Sequence, residues 1–227
     1  CARDLPILGN LGVRTVVSVW GRSVDDYRRA AEALTGIDGP VALEVNLSCP
    51  NLEGRAGIFA HDADLSAEVI RVTSAAGRPR WAKLSPNTDR VVEVATAVRD
   101  AGAEAVTLVN TLLGMVLDPE TGEPVLGAGG GGYSGRPVHP VAVRTVFDVH
   151  AALPGLPIVG AGGGQSGWDA AELLLADAGF SNYSTVILAT RKTVAGRAEA
   201  VRAFIEASTE GWYRYLYGDP SPGDRLI

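Results

Sequence analysis

Residues 43–51 read LEVNLSCPN, an apolar run that stops at Cys49, set between Ser48 and Pro50 with Asn46 and Asn51 on either side. A structural thiol belongs deeper in such a run, so a cysteine where a strand gives way to a loop points to chemistry. Lys83 lies inside WAKLSP, an apolar strand end. Inside a barrel its ammonium needs an anionic or electron-rich partner; on an outer face it reaches solvent along its own stem. Asn110, followed by Thr111, ends the run EAVTLVNT. Its amide offers a donor and an acceptor together, which suits a planar heterocycle bearing carbonyl and N–H groups. Gly162 and Gly163, in IVGAGGGQSGWDAAELL, follow a strand pattern and open a helix. Backbone N–H groups in such a turn can hold a phosphate, and a tight turn without a ligand is the alternative.

Other candidates carry less. His61, His139 and His150 stand far from Cys49 in sequence and read as surface or helix residues, so a cysteine–histidine dyad has little support. Gly127, Gly129 and Gly132 fit G-x-G-x-x-G, but no strand-turn-helix surrounds them, and a flexible loop is the plainer reading. The two cysteines, Cys1 and Cys49, make neither a disulfide framework nor a metal site, and no metal is expected.

The elements that must position these residues alternate. Strands are expected in 13–21, 41–49, 80–86, 104–111 and 156–163, each a short apolar run ending in polar or glycine residues. Helices are expected between them, one capped by Ser23 with Asp25 and Asp26 in its first turn, another capped by Ser166. Residues 113–135 read as a hairpin with PETGEP at its tip, followed by a glycine-rich loop. Repeated strand-helix units imply parallel strands. The polar residues stand at the C-terminal ends of several strands, which favours an α/β fold of the (β/α)8 barrel type over a doubly wound sheet with one switch point. A chain of 227 residues, 46% hydrophobic and 6% aromatic, suits one such domain. A net charge of −6 and a pI near 5.1 argue against a nucleic-acid surface. With no apolar run of spanning length and no leader pattern, a cytoplasmic protein is expected.

Taken together and in this order, NLSCPN, WAKLSPN, VTLVNTLLGM, GGGGYSGRPVHPVAVRTVFDV and PIVGAGG resemble dihydroorotate dehydrogenase. Most similar is the class 1B catalytic subunit, and the resemblance runs from about residue 10 to about residue 177. It implies a barrel holding FMN at its C-terminal face and the oxidation of dihydroorotate to orotate in pyrimidine biosynthesis. Cys49 matches the family's catalytic base. Asn46, Asn51, Asn110 and Thr111 match its pyrimidine-binding residues. Lys83 matches the lysine beside the flavin ring; Gly135, Gly162 and Gly163 match backbone contacts to the ribityl-phosphate. An oligomer is expected, as is a partner subunit with FAD and an iron–sulfur centre that passes electrons to NAD.

Two departures accompany the resemblance. Family members have a longer front portion with the first barrel strands, so a barrel lacking those strands is expected. Residues 178–227 read as an atypical helical tail, its closing part similar to periplasmic substrate-binding proteins of the nitrate/sulfonate/thiamine-precursor type. Within it STVILAT could serve as a replacement strand, with Ala189 and Thr190 where the family has Gly-Thr. A dihydropyrimidine dehydrogenase-like FMN reductase and an inactive or ligand-binding chimera are the competing expectations.

Overall fold

Each expected strand forms in the computed structural model, four within their stretches and one starting a residue early at Pro40; the structure describes residues 4–11, 13–48, 59–176, 180–182 and 199. The strands are β1 (Thr15–Val19), β2 (Pro40–Asn46), β3 (Arg80–Lys83), β4 (Ala105–Leu108), β5 (Leu112–Gly114), β6 (Gly131–Tyr133), β7 (Ile158–Ala161) and β8 (Phe180–Asn182). Six of them make one sheet in the order β1-β2-β3-β4-β7-β8, parallel throughout. Spatial order therefore follows chain order. A doubly wound sheet would reverse its order at a switch point, whereas a barrel wall adds each strand beside the last. The fold is α/β of the barrel type, and the outermost described strands are β1 and β8.

The two-residue period of a strand sorts its side chains into two layers. Val19, Leu43, Val45, Ala82, Val106, Leu108 and Ile158 share one core with buried residues of the surrounding helices, such as Val69, Val98 and Val146. The alternate positions Ser18, Glu44, Asn46, Lys83 and Thr107 lie on the other face, where Ser18, Lys83 and Thr107 all reach the Glu44 carboxylate. One face is thus oil and the other is polar, and the polar one faces the barrel interior.

The helices are α1 (Asp4–Asn10), α2 (Val24–Glu32), α3 (Ala63–Val72), α4 (Val91–Asp100), α5 (His139–Ala152) and α6 (Gly167–Leu175). Ser23 caps α2 in a full capping box with Asp26, and Ser166 caps α6 by accepting from the Asp169 N–H. Gly102 ends the α4 turn at φ 98°, a conformation that favours glycine. At the opposite end from the polar residues named above, Arg80 donates to the carbonyls of Ile70 (2.8 Å) and Gly102 (2.5 Å), tying two helix ends to the sheet.

Three elements differ from the sequence expectation. α1 was not expected. The glycine-rich segment is not all loop, because Gly131–Tyr133 pairs antiparallel with Leu112–Gly114 and a further bridge joins Leu117 to Pro124. Gly132 permits this pairing, since a Cβ there would stand 2.5 Å from Thr111 Oγ1. The tail reading begins at 178, yet Phe180–Asn182 is a strand that continues the sheet beside β7. The candidate replacement strand at 184–190 and the remainder of the expected tail lie outside the described residues. Among the described residues no helix is long and apolar enough to cross a membrane.

Candidate active site

The C-terminal ends of β2, β3 and β4 bring Asn46, Lys83 and Asn110 to one place. Asn46 ends β2 and is in register with Lys83, which ends β3. Asn110 follows β4 by two residues, after a cis Leu108–Val109 peptide. Its Nδ2 lies 3.1 Å from Asn46 Oδ1, 2.8 Å from Ser48 Oγ and 3.2 Å from the Ser48 carbonyl. Ser48 in turn donates its backbone N–H to Asn46 Oδ1 at 3.2 Å. The two asparagines therefore orient each other, with Ser48 between them. Tyr27 reaches in from α2 and donates its hydroxyl to the Asn46 carbonyl at 2.7 Å, while its ring meets Phe59 edge-on at 5.3 Å. Among the described residues nothing accepts from Asn46 Nδ2.

Thr111 is held by its backbone. Its carbonyl accepts from Asn87 Nδ2 at 2.9 Å, and Asn87 Oδ1 accepts from the Leu113 N–H at 2.8 Å. Asn87 thus fastens the loop after β3 to the β5–β6 hairpin, a role invisible in WAKLSPN because its partners lie more than twenty residues on. Cys49 and Asn51 lie outside the described residues. The residues on either side are placed, and the Leu47 carbonyl accepts from the Ala60 N–H at 3.0 Å.

A second group forms at the end of β7. Gly162 and Gly163 have φ of 146° and 64°, and Gly135 has 88°. A Cβ on Gly163 would stand 2.4 Å from the Gly135 carbonyl oxygen and 2.7 Å from the His139 N–H nitrogen. Gly135 and Gly163, far apart in sequence, are backbone against backbone. His139 is a helix residue as expected, the first of α5, but it is buried rather than on the surface. Its Nδ1 lies 2.9 Å from the Gly162 carbonyl and its Nε2 3.2 Å from Glu172 Oε2, so it clasps the glycine turn to α6. With Asp169, His139 and Glu172 bring metal-ligand atom types within 4.8 Å of one another, a grouping that spans two helices and shows no motif in sequence.

His61 marks the return of the chain from residues 49–58. Burial lowers its imidazole below the ordinary 6.5, and its Nε2 has no hydrogen-bond partner among the described residues. The folded protein then holds the neutral ring, and the unfolded chain binds a proton more readily in the window just below 6.5. This stability is complete above that value and is lost as pH falls through the folded pKa. The melting temperature should therefore drop between about pH 7 and pH 5, and less steeply in His61→Gln. Equal slopes in the two proteins would remove His61 as the cause.

The family model for dihydroorotate dehydrogenase matches residues 8–198. The chain belongs to the dihydroorotate dehydrogenase family. Among curated relatives, the catalytic subunit of dihydroorotate dehydrogenase B (NAD(+)) from Geobacter sp. (strain M21) is 42% identical over 177 residues, covering 78% of this chain and 58% of that protein. The subunit of the same name from Desulforudis audaxviator is 42% identical over 203 residues, covering 89% of this chain and 64% of that one. The chain thus spans about 58–64% of the length of these relatives. A solved structure of the Eimeria tenella dihydroorotate dehydrogenase with ferulenol shares the fold, with a TM-score of 0.57 and 20% identity over 82% of this chain and 55% of that one. The family match runs past residue 177, through β8 and beyond it.

Glu44, Ser48, Asn87 and Tyr27 were not among the sequence candidates, yet each bonds to a candidate residue or its immediate neighbourhood at these strand ends. Glu44 had a signal: a carboxylate at an inward position of a buried strand, two residues before Asn46, needs a partner.

Proposed function

We propose that this chain oxidises dihydroorotate to orotate as the catalytic part of an NAD-linked dihydroorotate dehydrogenase. The observation that carries this reading is the mutual hydrogen bonding of Asn46 and Asn110 at the strand ends beside Lys83, with Cys49 directly following Ser48. Two amides fixed by each other recognise a ring with alternating carbonyl and N–H groups without spending side-chain freedom on binding. Asn51 and Thr111 complete the pyrimidine contacts in this reading. Cys49 takes the proton from carbon 5 of the substrate, since a thiol's ordinary pKa of about 8.5 lies closer to neutrality than a serine hydroxyl's.

Lys83, Gly135, Gly162 and Gly163 fit a flavin mononucleotide. Lys83 ends β3 in register with Asn46, its ammonium 3.8 Å from Glu44, and the positive-φ glycines bring bare backbone to the next strand end, as a phosphate requires. FMN bound there supplies the acceptor for the hydride that leaves carbon 6. A separate FAD and iron–sulfur subunit would take the electrons onward, a reading supported by the likeness to catalytic subunits of the NAD(+)-linked enzyme.

The test is a titration of FMN fluorescence with the protein, followed by anaerobic addition of dihydroorotate. Quenching to a defined stoichiometry, then bleaching of the flavin with formation of orotate, is the expected result. No uptake of FMN would defeat the proposal. Bleaching by dihydrouracil but not dihydroorotate would point to a pyrimidine reductase instead. The chain alone should pass electrons to artificial acceptors and not to NAD; direct NAD reduction would remove the partner subunit from the scheme.

A further inference from the structure

The side chain of Glu44 is 14% exposed on the interior face of the sheet, which is costly for a carboxylate without partners. It has three. Oε1 accepts from the Ser18 hydroxyl at 3.1 Å, Oε2 accepts from the Thr107 hydroxyl at 3.0 Å, and Oε1 lies 3.8 Å from Lys83 Nζ. The two hydroxyls come from β1 and β4, on either side, so the carboxylate is clamped across four adjacent strands before Lys83 reaches it. A carboxylate held this firmly can set the position of a flexible lysine, rather than the reverse. The chain strengthens the point by its composition. It has eighteen arginines and only two lysines, Lys83 and Lys192. A compact ammonium thus stands where this sequence elsewhere prefers a guanidinium, and an ammonium on four methylenes needs an anchor to be directional.

We propose that Glu44 is the positioning residue and counter-charge of Lys83: it anchors the ammonium at the barrel mouth and offsets part of its charge there. This rests on the flavin reading given above, in which Lys83 lies beside the ring. Anchored, the ammonium faces the ring without searching for it. Balanced, it favours negatively charged reduced FMN less than a lone cation would. Glu44 touches no reacting atom and acts only through Lys83.

The scarcity of lysine makes the test direct, since protein labelled with carbon-13 at the lysine Cε gives two methylene signals. In the parent, Lys83 should show an inequivalent pair of ε protons. In Glu44→Gln, which keeps the shape and one acceptor oxygen but loses the charge, that pair should collapse toward the values of an unstructured peptide while Lys192 stays put. Thr107→Val cuts one clamp and keeps the charge, and should leave the pair split. On the flavin side, Glu44→Gln should raise the preference for reduced over oxidised FMN about tenfold, equivalent to ~30 mV for a two-electron couple. Thr107→Val should change it less than about twofold. An unchanged Lys83 pair in Glu44→Gln would overturn the anchoring, and an unchanged preference, or equal changes in both variants, would overturn the counter-charge role. A parent that takes up no FMN defeats the functional reading and the redox role with it, while the lysine signals still decide the anchoring. Should Glu44→Gln not fold, Glu44→Asp withdraws the charge by one methylene; a Lys83 pair as split as in the parent then overturns the proposal.

Discussion

Replacing Cys49 with alanine should slow orotate formation roughly 10²–10⁴-fold, the range for removal of a general acid or base. The proton on carbon 5 is removed only if a basic atom stands within hydrogen-bond reach of it, and alanine offers none. In the proposed reading that base is Cys49, the residue after Ser48, and Ser48 is itself held by Asn110 and Asn46. Cys49→Ser should fall between parent and alanine, since a hydroxyl accepts a proton but ionises far less readily. FMN affinity should barely move in either variant, because the base serves the substrate. The measurement is orotate released in a single anaerobic turnover across about pH 6–9, a range that brackets a thiol's ordinary pKa. Alanine at the parent rate would make the cysteine structural.

Gly163→Ala should destabilise the protein and abolish FMN uptake together. At φ 64° a side chain is already strained, by roughly 1–2 kcal/mol. The new Cβ would also stand 2.4 Å from the Gly135 carbonyl and 2.7 Å from the His139 nitrogen, both backbone atoms that cannot rotate aside. Forcing them apart adds about 1–3 kcal/mol, as overpacking does elsewhere. The total of about 2–5 kcal/mol is a large share of the 5–15 kcal/mol that holds an ordinary domain together. Gly77→Ala separates the two causes. Gly77 has nearly the same φ, 63°, with nothing within 4 Å of its added Cβ. It should cost only the strain, about 1–2 kcal/mol, and leave FMN binding intact. Urea unfolding of both variants decides the matter, and equal losses would mean that the turn at 162–163 is not packed as described.

Local chemistry determined much of this molecule before any contact was known. The strands at 15–19, 40–46, 80–83, 105–108 and 158–161 were legible because each is a short apolar run closed by a polar or glycine residue. The caps at Ser23 and Ser166 were legible because a side chain there bonds to a backbone N–H three residues on. The polar strand ends were legible because buried strands have little reason to finish on Asn46, Lys83 or Asn110 unless something binds them. Tertiary structure alone decided how those ends meet. Glu44 reads in sequence as one acidic residue in an apolar run. Its meaning depends on Ser18, Thr107 and Lys83, which only the register of four parallel strands brings to it. The face-to-face packing of Gly135 and Gly163 and the His139 clasp on Gly162 are set the same way, by helix starts meeting a turn from another strand. Such pairings span 23 to 63 residues, beyond the reach of helical or strand periodicity, and their energy appears only once the barrel wall has closed the distance.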